Sequence, residues 1–270
     1  MSDLKNQEQS VEQNAYLNQI QQRKQMIRLL QILFLLIFFL LWEIAASKNW
    51  IDPFIFSQPT KMLNAAKEMI SDGSLWPHIT TTLWETTAGF LLGTLLGTLT
   101  AVLLWWNPFL SSIADTYLVV LNAIPKTALA PIIIVWFGNN QSSIILVALL
   151  TSVVVTILSV LNGFLQVDEE KIKLIQIFGG SKKQILTKII FPSNIPNILN
   201  ALKINVGLSF VGVIVGEFLV AQKGLGFLIV YHSQTFQMKF VLLSILILAF
   251  LSALMYAVIS YIEKRFIPWQ

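Results

Sequence analysis

Long apolar runs separated by short polar breaks dominate the chain. Continuous runs at about 29–46, 80–105, 144–161, 198–220 and 240–262, and one interrupted run at about 113–138, predict six α-helices. Each is close to or above the length an α-helix needs to cross a hydrocarbon core. The fold class expected is therefore all-α, a polytopic membrane protein with six transmembrane helices. The longest hydrophilic interruption, 168–200, reads DEEKIKLIQIFGGSKKQILTKIIFPSNIPNILN. Two helical patterns in it, KIKLIQIF and KKQILTKII, flank a turn at Gly179, Gly180 and Ser181, and Pro192 and Pro196 are expected to stop the second before the next span. Apolar residues at helical spacing mark this loop as folded.

The pattern inside the runs adds detail. The second run carries Gly89, Gly93, Gly97 and Ala101 at four-residue intervals, a stripe that lets a neighbouring backbone approach closely. The third is broken by Asn122, Pro125, Lys126 and Pro131, which membrane depth tolerates only against protein or a watery cavity. Lys126 reads either as a pore-facing cation or as a snorkelling side chain on a bent helix. The fifth run holds Asn205, Gly207, Ser209, Gly212, Gly216 and Glu217, the helix best suited to line a pathway. Glu217, near its outer end, reads as a functional carboxylate or as a structural acid. Outside the runs, KMLNAAKEMI at 61–70 suits a helix lying at a surface, and GFLIVYHSQTF at 226–236 suits a segment that dips back into the membrane.

Charge sets the orientation. Arg23, Lys24 and Arg28 precede the first run, and Lys5, Lys171, Lys173, Lys182, Lys183, Lys188, Lys203, Lys264 and Arg265 fall on the same side if six spans alternate. That side holds 12 of the 18 Lys and Arg, so it is expected to be cytosolic, together with both termini and the 168–200 loop. Residues 1–27 are then a cytosolic tail, and 28–270 a membrane domain with its cytosolic loop at 165–199.

Composition narrows the function. The 270 residues are 55% hydrophobic and 12% charged, with mean hydropathy +0.70, whereas a soluble domain has about a quarter of its residues charged. The net charge of +4 does not point to nucleic acid, because the basic residues flank the apolar runs. There is no Cys, and the two His, His78 and His232, fall on the external side, so neither a thiol nucleophile nor a metal cluster is expected. No GxxxxGK[ST] phosphate loop occurs, so the chain is expected to hydrolyse no nucleotide itself. A secondary transporter or channel is the competing class, and the paired acids within spans that such proteins often use are not evident, since the acids cluster at span ends. An intramembrane hydrolase would need a nucleophile and base that nothing here brings together.

Gly179, with Ile189 ten and Pro192 thirteen positions on, lies in a helix-turn-helix between the fourth and fifth spans. This resembles the EAA loop of ABC-importer permeases, the binding-protein-dependent transport inner-membrane family. WEIAA, DPFIFSQPTKML, GFLLGTLLG, NAIPKTALAPIIIVWFG, GEFLVAQKGLGFLI and EKRFIPW, in that order, extend the resemblance over about 40–270 to the nitrate, sulfonate and taurine type. The resemblance implies a type I importer permease of the bacterial inner membrane. It would form a pore with a second permease copy, carry two copies of an ABC ATPase that bind ATP and Mg, and take cargo from an extracellular or periplasmic binding protein. It would itself hold no cofactor. The coupling surface implied is Lys171, Lys173, Leu174, Ile175, Phe178, Gly179, Gly180, Ser181 and Lys182. The pathway residues expected are Asn122, Lys126, Asn205, Ser209, Phe210 and Glu217. Two departures stand out: Lys173, Leu174 and Ile175 replace Glu-Ala-Ala, which implies an ATPase with compensating negative charge, and Glu85 stands where similar permeases often carry Arg.

Overall fold

The computed structural model describes residues 2–266, and side chains for residues 16–265. The expected interfacial position of Trp269 and Gln270 lies outside the described residues, as does the side chain of Lys5. The chain divides after Asn64 into two compact units.

In the first unit, the polar lead and the first apolar run are one helix, α1 (Ser2–Ser47), whose apolar part is long enough to span a bilayer. At its end Trp42 Nε1 donates to the Phe56 carbonyl (3.2 Å). The Glu43 carboxylate accepts from the Thr60 N–H (3.0 Å) and hydroxyl (2.8 Å), capping the start of α2 (Pro59–Ser71). Here the 61–70 run forms the helix its pattern predicts.

The second unit is built around three packed helices, α3 (Leu75–Trp106), α6 (Gln141–Leu165) and α9 (Phe191–Val220). The glycine stripe of α3 faces α6. A Cβ on Gly89 would lie 2.5 Å from the Ala148 Cβ, one on Gly97 2.5 Å from the Thr156 Cβ, and one on Gly93 would overlap the Ser152 hydroxyl. Helices in lipid gain nothing from excluding water between them, so this closeness, with its van der Waals contact, is what holds them. Gly212 of α9 packs equally closely on the Ala148 backbone from the other side. Buried polar groups tie the same three helices: Asn205 Nδ2 donates to Thr156 Oγ1 (2.6 Å) and Thr94 Oγ1 (3.2 Å), and Thr151 Oγ1 reaches the Leu208 carbonyl (3.0 Å).

The third apolar run is not one straight helix. It forms α4 (Pro108–Ala123), a 3-10 turn (Lys126–Leu129) and α5 (Ala130–Phe137), bent by 84° at the break. Pro125 accounts for the break, since it has no N–H for the helical ladder and Ile124 before it is extended, whereas Pro131 falls in the first turn of α5, where a proline fits. Counting this pair as one span, the described residues hold six candidate spans. The sixth is α11 (Met238–Phe266), and the 226–236 segment is a short separate helix, α10 (Leu225–Gln234).

The expected stop at Pro192 and Pro196 does not occur. α8 (Lys182–Ile185), a π-helical turn (Leu186–Ile190) and α9 form one helical run over Lys182–Val220, with Pro196 inside it. The π turn moves the pairing by one residue, so that the Phe191 N–H bonds the Leu186 carbonyl just before Pro192, which has no N–H to place in the ladder. The Asn194 side chain adds a donor to the Ile190 carbonyl (2.8 Å). The loop's second helix is thus the first turns of the fifth span.

Candidate functional site

The loop between α6 and α9 begins with α7 (Glu169–Ile177). The Asp168 side chain caps it by accepting from the Glu170 N–H (2.9 Å), and Glu169 and Glu170 suit the positive end of its dipole. The helix ends at Gly179, whose φ of +72° belongs to the left-handed region that glycine enters without cost, and the Gly180 N–H closes onto the Ile175 carbonyl (2.8 Å). A Cβ on Gly179 would touch nothing, so only its backbone conformation constrains the position from within the chain. Ser181 and Gln184 then form a reciprocal capping box that starts the helix leading into the membrane. Capped at both turns, the loop is a rigid hook.

Its apolar residues face two ways. Ile172 and Ile175 pack towards a core of Leu118, Val160, Leu161, Phe164, Ile185 and Ile190. Leu174, Ile177 and Phe178 point outward, the last two 80% exposed. The expected face of Leu174, Ile175 and Phe178 is therefore divided, with Ile175 turned inward and Ile177, not singled out from the sequence, turned outward. Helical spacing of 174, 177 and 178 carried that signal.

The cations divide too. Lys171 and Lys183 are exposed. Lys173 pairs with Glu169 one turn back (3.2 Å), an open pair with both side chains largely in solvent. Lys182, also exposed, reaches back along the surface: its Nζ donates to the Trp106 carbonyl (2.6 Å) at the last turn of α3 and lies 5.7 and 5.6 Å from the Trp105 and Trp106 rings. Here a cation meets the negative end of a helix dipole and two aromatic faces. The hook is thereby fastened to the corner between α3 and α4. On the same bundle, Lys203 of α9 pairs with Glu263 of α11 (2.5 Å).

The six residues expected along the pathway do not gather in one place. Lys126 folds back onto α4, donating to the Asn122 carbonyl (3.2 Å) and side chain (3.0 Å), so these two form one polar tip at the break of the third span. Asn205, Ser209 and Phe210 are buried, with Asn205 bonded to Thr156 and Thr94.

Glu217 is buried at the other end of α9 from the hook. Its carboxylate accepts from the Thr82 hydroxyl (2.7 Å) and from the Gly226 N–H at the start of α10. Thr82 accepts in turn from the Leu225 N–H (2.8 Å), and His78 Nδ1 bonds the Gly224 backbone (3.0 Å). The GLG turn wraps the carboxyl so closely that a Cβ on Gly224 would overlap it. Glu217 thus works as an N-terminal anion for α10. It also meets the carboxyl of Glu85, so two acids that lie far apart in the sequence touch in the fold. On α10, burial holds His232 below its ordinary protonation range, and its ring stacks on Phe240 at 4.5 Å.

Residues 93–268 match the family model described as the binding-protein-dependent transport system inner membrane component. The formylaminopyrimidine transport permease ThiX of Halalkalibacterium halodurans is 30% identical over 88% of this chain and 94% of its own length. A putative aliphatic sulfonates transport permease, SsuC of Bacillus subtilis, is 25% identical over 85% of this chain and 83% of its own. Among solved structures, a chain of the inward-facing MetNI methionine ABC transporter superposes with a TM-score of 0.63 at 18% identity, covering 72% of this chain and 98% of that one. That likeness is one of fold.

Proposed function

The chain belongs to the binding-protein-dependent transport system inner membrane component family, and on that premise we propose how this permease subunit of an ABC importer divides its work. The 165–199 hook is the coupling element. Leu174, Ile177 and Phe178 enter a cleft of a separate ABC ATPase, with Lys171 and Lys183 steering the encounter toward an acidic rim. Lys173, loosely held by Glu169, is free to exchange that partner for one on the ATPase. The observation that carries this reading is the exposure of three large apolar residues on a helix capped at both ends: a rigid apolar knob of this kind suits a partner's groove.

Lys182 and the unbroken helix from the hook into α9 then pass a movement of the knob to α3 and to the fifth span as a rigid body. The pore forms against a second copy of the permease, with Asn122 and Lys126 at the bend of the third span on its wall. The burial of Asn205, Ser209, Phe210 and Glu217 favours holding the bundle together over contact with cargo. The host membrane is a bacterial inner membrane with both termini in the cytosol. ATP and Mg are bound by two ATPase copies, and an external binding protein delivers a small solute of the nitrate, sulfonate, taurine or thiamine-precursor class. The name of SsuC, an aliphatic sulfonates permease, supports the sulfonate class, and that of ThiX, a formylaminopyrimidine permease, the thiamine-precursor class.

Reconstitution tests the division of labour. The purified chain alone is expected to show no ATP hydrolysis, and vesicles holding it with the neighbouring ATPase and binding protein are expected to take up the ligand that raises the binding protein's melting temperature. ATP-independent uptake by the permease alone would refute it and favour a secondary transporter.

A further inference from the structure

Glu85 and Glu217 are both buried, at 0% and 1% exposure, where α3 and α9 meet the start of α10. Glu217 accepts at both oxygens, from Thr82 and from the Gly226 N–H. Neither oxygen of Glu85 meets a donor, and Glu85 lies one helical turn past Thr82, the residue that bonds Glu217, with its carboxyl within reach of the Glu217 carboxyl. A carboxylate is an acceptor only, so two ionised carboxylates in contact cannot bond each other, and each increases the cost of burying the other. With one proton between them, Glu85 becomes a donor and Glu217 gains a further hydrogen bond.

The other charged or titratable groups nearby do not supply that proton's place. On α3, His78 is engaged with the Gly224 backbone, and on α10 His232 stacks on Phe240. From α6 and the turn before it come Asn139, Asn140 and Gln141, all uncharged, which share with Glu85, Thr81 and Lys223 a cavity of about 270 Å³. The Lys223 side chain is exposed and, among the described residues, forms no ion pair with Glu85. We propose that Glu85 and Glu217 bind a single shared proton, carried on Glu85 and donated to Glu217, so that this junction is a proton site joining the second and fifth spans to α10. The proton is taken from solvent through the polar cavity beside Glu85, and its binding breaks no covalent bond. The site does not require the transport reading.

Infrared spectroscopy of the full chain in lipid nanodiscs at neutral pH tests it, because a protonated carboxyl has a carbonyl stretch separate from that of a carboxylate. The wild type is expected to show such a band, and Glu85→Gln to lose it while keeping the wild-type Tm, since the amide still donates to Glu217. Glu85→Arg is expected to fold with Glu217 present and to lose stability when combined with Glu217→Gln. Absence of the band in the wild type, or its persistence in Glu85→Gln, overturns the proposal. So does a wild-type Tm that rises with added sodium or calcium and ceases to do so in Glu85→Gln, which would make the site one for a metal ion. If Glu85→Gln fails to fold, the wild-type band and its shift in heavy water still decide the question.

Discussion

Phe178 and Ile175 sit on the same helix and face opposite ways, so substituting each separates docking from folding. Phe178 is 80% exposed, and Phe178→Asp is expected to change the permease's own stability by no more than about 0.5 kcal/mol. If the ring is buried in a partner, its transfer from water is worth roughly 2–3 kcal/mol, and losing it weakens ATPase binding about 30- to 150-fold. Ile175 packs inward and its side chain lies against Gly180, so Ile175→Ala is expected to destabilise the loop by about 1–2 kcal/mol. Fluorescence-detected melting of each purified variant gives the first quantity, and titration of the ATPase onto nanodisc-held permease gives the second. The reasoning fails if Phe178→Asp binds the ATPase as tightly as the wild type. It fails equally if Phe178→Asp lowers Tm as much as Ile175→Ala does, because the ring would then be holding this chain together.

Lys182→Met should release the hook from α3 while leaving the knob intact: the carbonyl bond and two ring contacts are together worth about 1–2 kcal/mol, so amide exchange at 182–190 is expected to accelerate roughly tenfold, and unchanged exchange would count against the clamp. His232 gives a pH dependence. Burial lowers its proton affinity in the folded state below the ordinary value of 6.5, so the unfolded chain binds the proton more readily, and stability is complete above about pH 6.5 and declines as pH falls below it. Melting curves of His232→Phe should lose part of that acid decline, and an identical pH profile would contradict it.

Much of this architecture is legible in the chain. Gly89, Gly93 and Gly97 announce a close helix contact because a four-residue interval keeps them on one face, and α6 is found there. Gly179, Gly180 and Ser181 mark the turn of the hook because turn chemistry is local to near neighbours, and the Asp168 cap and the Ser181 to Gln184 box that the structure adds are of the same local kind. Where local rules compete, the pattern misleads. Pro192 and Pro196 look like stops, yet the helix continues through both, with a π turn just before Pro192 shifting the backbone pairing.

By itself, then, the sequence determined the long apolar helices, the small-residue face of the second and the folded character of the 168–200 loop, all of which follow from spacing along a single helix. Only the tertiary structure decided that Lys182 reaches back to Trp106, that Ile175 turns in while Ile177 turns out, that Asn205 ties three helices together, and that Glu217 caps α10 while touching Glu85. Those outcomes depend on how each helix is rotated and where it crosses its neighbours. Such choices are set by close packing between residues far apart in the chain, which no local period encodes.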